Sequence, residues 1–369
     1  MRKKNVLYVV STLARSGPTT QLSNIIKYLD RDVFEPHLVT LSSEPEDSLI
    51  SLYEELNINL YGLKLSRLGG IFKAKRQLTQ IIEKIKPDVI HTQGIRADSL
   101  LSKINVSTPW IMTSRNYPLD DYPMKFGRIK GGMMAKMHIS TMKKCSNVMA
   151  CSKTIAKALK PHGITANTIQ NGVNLERKTK QNKSYLQGFE HPIFISVGSL
   201  IHRKNMAFIV EAFNQNITNN KGSLIILGDG PELPKLEGSS RSTNIHFKGN
   251  VPNVAEYLEA SDYFVSASLS EGLPNTVLEA LAAGLPVLLS DISSHEEIAD
   301  ESTSCCHIFK LSEGEAGLAQ KLSHVTDIFS SSASADAVEL ATSVFSADAM
   351  SGKYQTKYKE LLNDSRNPV

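Results

Sequence analysis

Glu271 and Glu279 stand with seven residues between them in SEGLPNTVLEALAAGLPVLLSD, Ser270 to Asp291. Two carboxylates at different depths of one segment can accept hydroxyl hydrogen bonds from two parts of a single polar ligand, such as the sugar and the ribose of a nucleotide sugar. The segment follows DYFVSAS, which reads as a strand, and Pro274, Asn275 and Thr276 have the composition of a helix start. Proline gives up no needed N–H in a first turn, and polar side chains favour that end. The free N–H groups and positive dipole end there suit a diphosphate. Glu271 then lies in the loop before the helix and Glu279 about a turn and a half inside it. Two glutamates on a solvated loop and helix face are the plainer alternative. Against it, Ala280, Leu281, Ala282, Ala283 and Gly284 surround Glu279 with small apolar groups, where a carboxylate requires a partner.

A second constellation, GSLIHRKN from Gly198 to Asn205, ends the apolar run PIFISV. Arg203 and Lys204 at the carboxyl end of a strand in an open α/β sheet sit where ligands bind and could neutralise a leaving diphosphate; a solvated basic loop is the alternative. LGDGPE, around Gly228 and Gly230, is half of a dinucleotide fingerprint without the third glycine. Asp30 and Asp32 form an Asp-x-Asp of the kind that can hold a divalent cation. They fall where the amphipathic LSNIIKYL gives way to a connection, the usual place for solvated acids, so no metal is expected.

These groups need a scaffold. Short apolar runs alternate with helical periods along the chain, NVLYVVS, QLSNIIKYL, HLVTL, AKRQLTQIIEKI, DVIHTQG, ADSLLSKI, and a second series begins at HPIFISVGSL. Such alternation marks βαβ units on parallel sheets. With 369 residues there is chain for two cores. The expected organisation is a doubly wound domain at 1–172, a linker at 173–190 containing the polar KTKQNKSYLQG, a doubly wound domain at 191–344, and a terminal helical segment at 345–369. MRKKNVLYVVSTLARSG has too short an apolar run for a secretion signal; Val6 to Ser11 reads as a buried first strand and Arg15-Ser16-Gly17-Pro18 as a loop. No segment reaches membrane-spanning length. Cys145, Cys151, Cys305 and Cys306 lack disulfide or zinc spacing, which points to a cytoplasmic location.

The net charge of +4 hides an asymmetry: residues 1 to 175 hold 25 Lys and Arg against 13 Asp and Glu, leaving 41 − 25 = 16 basic and 37 − 13 = 24 acidic residues for the remainder. The basic half is suited to an anionic partner. Its sharpest feature is Pro123 to Cys145, with Lys125, Arg128, Lys130, Lys136, Lys143 and Lys144, five methionines, Phe126 and no acid. That mixture suits contact with anionic lipid headgroups without crossing the bilayer; a core helix with a basic outer face is the alternative. Nucleic acid is not expected, because aromatic and basic residues are not interleaved.

Together, GSLIHRKN, LGDGPELPKLE, FKGNVPNVAEYLEASDYFVSAS and SEGLPNTVLEALAAGLPV resemble glycosyltransferase family 4, the retaining glycosyltransferases of GT-B fold, and DVIHTQG, ACSKTIAKAL and IQNGVN extend the resemblance through the first half. It implies an α/β chain of two Rossmann-like domains facing a central cleft, with the last helix returning to the first domain. It also implies that Glu271 contacts the donor sugar, Glu279 the ribose and Lys204 the diphosphate. Gly272, Leu273, Asn275 and Thr276 would lie along phosphates and sugar, Gly249, Asn250 and Val251 near the base, and Gly17 would approach from the first domain. The family is metal-independent and needs no cofactor beyond its nucleotide-sugar substrate, a UDP- or GDP-sugar.

The chain departs from the family at two places. Gly198-Ser199-Leu200 stands where many members have Gly-Arg-Leu, so Arg203 is the candidate substitute. Arg115 in IMTSRNYPLDDYP stands where many have a histidine, leaving His91, Arg115 and His138 as acceptor-side candidates. The function implied is transfer of a hexose to a lipid-linked saccharide in surface polysaccharide, lipopolysaccharide or O-antigen synthesis, at the inner face of the cell membrane. A non-catalytic sugar-nucleotide-binding homologue and a GT-B phosphorylase or epimerase are the alternatives.

Overall fold

The computed structural model describes residues 2–66, 71–175, 186–215 and 222–364; much of the expected linker and the last five residues lie outside them. Two compact units divide the chain, Met1–Gly172 with Ala347–Val369, and Val173–Ser346.

In the first unit, strands β1 (Lys4–Val10), β2 (Phe34–Thr40), β3 (Asn59–Gly62), β4 (Val89–Gln93), β5 (Trp110–Ser114), β6 (Asn147–Ala150) and β7 (Ala166–Thr168) form a parallel sheet in the order β3-β2-β1-β4-β5-β6-β7. The order reverses between β1 and β4, the mark of double winding. Its central strand is apolar on both faces because helices cover both. Val6, Tyr8 and Val10 enter one core cluster, while Leu7 and Val9 enter another. Helix α1 (Gly17–Lys27) starts inside the stretch read from sequence as a loop. Ser16 caps it, its hydroxyl accepting from Thr19 N–H at 3.4 Å, so Gly17 is a helical residue and not a free turn.

The remaining helices of this unit are α2 (Ile50–Glu55), α3 (Ile71–Ile85), α4 (Ile95–Leu101), α5 (Pro118–Phe126), α6 (Arg128–Met142) and α7 (Lys153–Leu159). The C-terminal α16 (Ala347–Asp364) lies on it too: Met350, Tyr354, Tyr358 and Leu361 join the cluster of Tyr8 and Ile25. Ser351 Oγ donates to Ile25 O at 2.8 Å and Gln355 Nε2 to Tyr28 O at 2.9 Å, pinning α16 to α1 and its end.

The second unit holds β8 (Ile193–Val197), β9 (Ser223–Leu227), β10 (Ile245–Gly249), β11 (Tyr263–Ser266), β12 (Val287–Ser290) and β13 (Cys306–Phe309), also parallel, in the order β10-β9-β8-β11-β12-β13. Its helices are α8 (Met206–Gln215), α9 (Leu233–Ser239), α10 (Val254–Ala260), α11 (Asn275–Ala282), α12 (Ser293–Ala299), α13 (Gly314–Ser323), α14 (Val325–Ile328) and α15 (Ala333–Ser343). The order reverses between β8 and β11, and the loops leaving those two strands carry the residues singled out from sequence.

Candidate functional site

The β8 loop turns through a short 3₁₀ segment, His202–Lys204, and Asn205 takes a left-handed φ of 52° before α8 begins. Behind it, LGDG acts as a backbone buttress. A Cβ on Gly228 would stand 2.0 Å from Gly198 O and one on Gly230 2.4 Å from Leu200 O, so only glycine lets the two loops approach. Leu200 N donates to Asp229 O and Glu232 N to Leu200 O across that contact. The glycines of the half-fingerprint therefore shape the loop that carries Arg203 and Lys204.

The β11 loop runs back to meet it, with Leu269 N donating to Arg203 O at 2.8 Å. Glu271 closes the join. Arg203 Nη1 reaches Glu271 Oε2 at 2.7 Å and Ser270 O at 2.5 Å, Lys204 Nζ reaches Oε1 at 2.6 Å, and Ser268 Oγ donates to Oε1 at 2.9 Å. Sequence alone assigned these charges to separate parts of a ligand; the fold joins them into one ion cluster 68 residues apart in the chain. Burial opposes ionisation of Glu271, but Lys204 and Arg203 outweigh it and hold the carboxyl at about 2. Two cations share one carboxylate, so the cluster keeps a surplus positive charge, and the Lys204 ammonium has donors to spare for an anion.

Glu279 differs. It lies on α11, half-buried, and burial raises its carboxyl to about 7 despite Lys204 nearby. Pro274 is the N-cap of α11, not part of its first turn, and no side chain closes the first turn there. Of the other donor-site candidates, Ser199 and Asn250 are exposed, while Gly249, Val251, Gly272, Asn275 and Thr276 are half-buried. Leu273 is 4% exposed, its side chain packed inward.

A supporting shell went unread in the sequence. Ser290 Oγ donates to Ser268 O at 2.7 Å, and His295 Nδ1 lies 3.1 Å from Ser290 Oγ and 3.0 Å from Ser290 O. His295 is fully buried, and burial lowers its imidazole to about 4. Serines ending strands carry no local pattern that distinguishes them from turn residues, which is why this shell was not legible.

In the first unit, the two histidine candidates are both buried and hydrogen-bonded on both ring nitrogens. His91 is fully buried on β4, its Nδ1 2.8 Å from the Tyr358 hydroxyl and Nε2 2.7 Å from Thr113 Oγ1. Burial, aided by Arg115, lowers it to about 3, and the neutral ring links β4 to α16. His138, 2% exposed, sits between Asp98 Oδ2 and the Tyr122 hydroxyl, each at 2.8 Å, and ties α6 to α4 and α5. Arg115 follows β5 directly; Nε donates to Gln93 Oε1 at 3.2 Å and Nη1 to Asn171 Oδ1 at 2.6 Å.

Helices α5 and α6 pack closely because Gly131 has no side chain: a Cβ there would lie 2.1 Å from Tyr122 O. Lys125, Arg128, Lys130, Lys136, Lys143 and Lys144 are all exposed, as are Met124 (45%), Phe126 (38%), Ile129 (89%), Met133 (68%) and Met137 (51%). Among the described residues no helix is long and apolar enough to cross a membrane, and no three His, Cys, Asp or Glu side chains gather as a metal site. Asp30 Oδ1 accepts from Asp32 N at 3.0 Å, a local turn bond.

Residues 15–177 match the model of Glycosyltransferase Family 4, and residues 191–327 that of Glycosyl transferases group 1. The chain is 25% identical over 317 residues to the O-antigen biosynthesis glycosyltransferase WclY of Escherichia coli, covering 80% of this chain and 82% of the relative. It is 26% identical over 250 residues to an Escherichia coli UDP-Gal:alpha-D-GlcNAc-diphosphoundecaprenol alpha-1,3-galactosyltransferase, over 60% of this chain and 62% of that one. The crystal structure of Anabaena HepE with UDP and glucose superposes with a TM-score of 0.80 at 15% identity, over 97% of this chain and 100% of that one, and shares its fold. The two matched models lie one in each half, and the doubly wound sheets with the paired-glutamate site complete the assignment: the chain belongs to the group 1 glycosyltransferases of family 4, with the GT-B fold.

Proposed function

We propose that the chain is a retaining, metal-independent hexosyltransferase that moves a sugar from a UDP- or GDP-sugar to a lipid-linked saccharide in surface polysaccharide or O-antigen assembly. The observation that carries this reading is the Lys204–Arg203–Glu271 cluster, with its surplus positive charge, at the switch point of the second sheet, and Glu279 on the neighbouring helix. The cluster would meet the diphosphate, Glu271 would orient the donor sugar through the remaining lone pair of Oε2, and Glu279 would accept from ribose.

As the bond from the anomeric carbon to the diphosphate oxygen breaks, the acceptor oxygen bonds to that carbon on the same face and its proton passes to the diphosphate. No enzymic base is needed. Lys204 and Arg203 stabilise the charge gathering on the leaving group, where loss of one donor typically costs about a hundred- to a thousandfold in rate. The names of the two Escherichia coli relatives favour O-antigen synthesis and a diphosphoundecaprenol-linked acceptor for this chain as well.

The α5–α6 hairpin would bring the enzyme to that acceptor. Ile129, Met133 and Met137 recur at intervals of four and line one face of α6, flanked by the exposed lysines and arginine. Apolar side chains entering the interface contribute about 1.5–3 kcal/mol each when fully buried, and each basic residue near an anionic surface about 1 kcal/mol. The reading places the protein on the cytoplasmic face of the membrane.

The test is nucleotide release from UDP- and GDP-sugars with and without a diphosphoundecaprenol-linked saccharide, in the wild type and in Glu271→Ala and Lys204→Ala. Acceptor-dependent release lost in both variants is expected. Unaltered turnover in the variants would remove the proposed site, and acceptor-independent release would favour a phosphorylase or epimerase.

A further inference from the structure

Arg115 and Gln93 leave the carboxyl ends of the adjacent strands β5 and β4, beside the point where the first sheet reverses. Both hydrogen-bond acceptors of the Arg115 guanidinium are neutral amide oxygens, Gln93 Oε1 and Asn171 Oδ1, not carboxylates. Around it stand Tyr53, His91, Tyr354 and Tyr358, all buried, and its charge is felt at each of them. All four are neutral near pH 7, so the charge is fixed in place without a counter-charge among them.

Two N–H donors there are left over. Arg115 Nη2 and Gln93 Nε2 are both buried and without a hydrogen-bond partner, and Gln93 as a whole is only 7% exposed. Gln93 cannot simply turn its amide over, because its oxygen is already the acceptor for Arg115 Nε. Nε and Nη2 share one edge of the guanidinium plane, so Nη2 lies on the edge that faces the Gln93 amide. Buried donors with no acceptor are costly, and a charged one more so. Asn171 is 5% exposed, and the next residue is fixed to α1 by Gln21, whose Nε2 donates to Gly172 O at 2.8 Å and whose Oε1 accepts from Gly172 N at 3.0 Å. Arg115 is therefore hydrogen-bonded to a residue whose neighbour is itself tied to α1.

We propose that Arg115 and Gln93 form an anion subsite in the first unit that takes a carboxylate or phosphate oxygen of a substrate, through Arg115 Nη2 and Gln93 Nε2. It rests on the transferase reading above and deepens it, by making one substrate acidic. The shared chemistry has two sources, a uronate carboxylate on the sugar or the diphosphate of a lipid-linked acceptor.

Calorimetric titration of the full chain separates them with two matched pairs of probes, UDP-glucuronate against UDP-glucose and farnesyl diphosphate against farnesol. The variants are Arg115→Gln and Gln93→Leu, with Arg115→Lys as the conservative change. For one charged probe, a loss of tenfold or more in affinity is expected in Arg115→Gln, with a smaller loss in Gln93→Leu and partial rescue in Arg115→Lys. The uncharged partner should stay within about twofold. Loss confined to UDP-glucuronate assigns the anion to the sugar, and loss confined to farnesyl diphosphate assigns it to the acceptor. Wild-type protein that binds neither charged probe better than its uncharged partner overturns the subsite, as does equal binding by wild type and Arg115→Gln. The wider transferase reading fails separately, when UDP binding is absent or indifferent to Lys204→Ala.

Discussion

Glu279→Gln tests the electrostatics of the donor site through stability as well as through binding. Burial raises the folded-state carboxyl from an ordinary 4.5 to about 7. Between those values the folded chain keeps a proton that the unfolded chain has released. Wild-type stability from this group therefore falls as pH rises from about 4.5 through about 7, the opposite of a salt-bridged carboxylate. At about 1.4 kcal/mol per pH unit the whole penalty is about 3 kcal/mol above pH 8, an upper figure because the side chain is only half-buried and water screens part of it.

Glutamine keeps the shape and never ionises. The gap in stability between Glu279→Gln and the wild type should accordingly be near zero at pH 4.5 and open to about 1–3 kcal/mol in favour of the variant at pH 8. Hydrogen exchange of the peptide containing α11, compared between the two proteins at each pH, reads the gap within the second unit. Binding should run the other way. A nucleotide whose ribose donates to the ionised carboxylate draws the proton off, so wild-type affinity should rise towards pH 7 while that of Glu279→Gln stays flat. A stability gap that does not change with pH, together with parallel affinity profiles, would refute the assignment.

Other outcomes follow from single contacts. Lys204→Met removes one of the two cations that hold Glu271 at about 2, and its carboxyl should titrate at higher pH while rate falls about a hundredfold or more, seen in a pH–rate profile. Gly228→Ala places a Cβ 2.0 Å from Gly198 O, and donor affinity should drop through displacement of the loop that carries Arg203 and Lys204, as nucleotide titration would detect. Tyr358→Phe strands His91 Nδ1 and should cost about 1–3 kcal/mol in the first unit. Trp110, the single tryptophan, lies in that unit and reports the unfolding by fluorescence. Ile129→Asp with Met133→Asp should leave the melting temperature within a degree or two, since both side chains are exposed, yet abolish flotation with phosphatidylglycerol vesicles.

Much of this protein was legible in its residue order. Strand and helix periods are local, so the alternation from NVLYVVS to LPVLLSD was enough for two parallel α/β units, and the paired glutamates after DYFVSAS were legible as a candidate site. Methionines among lysines were likewise visible as composition, while their exposure was settled by the fold. What the tertiary structure decided is which polar groups meet. Strand order brings β8 beside β11, and only that adjacency puts Arg203 and Lys204 against Glu271. Local periodicity says nothing of what covers a histidine: α16 returns to seal His91 with Tyr358, and Asp98 with Tyr122 encloses His138. Glu279 was legible as a carboxylate, but that its charge depends on pH was not, because burial, a property of the folded chain alone, governs its proton.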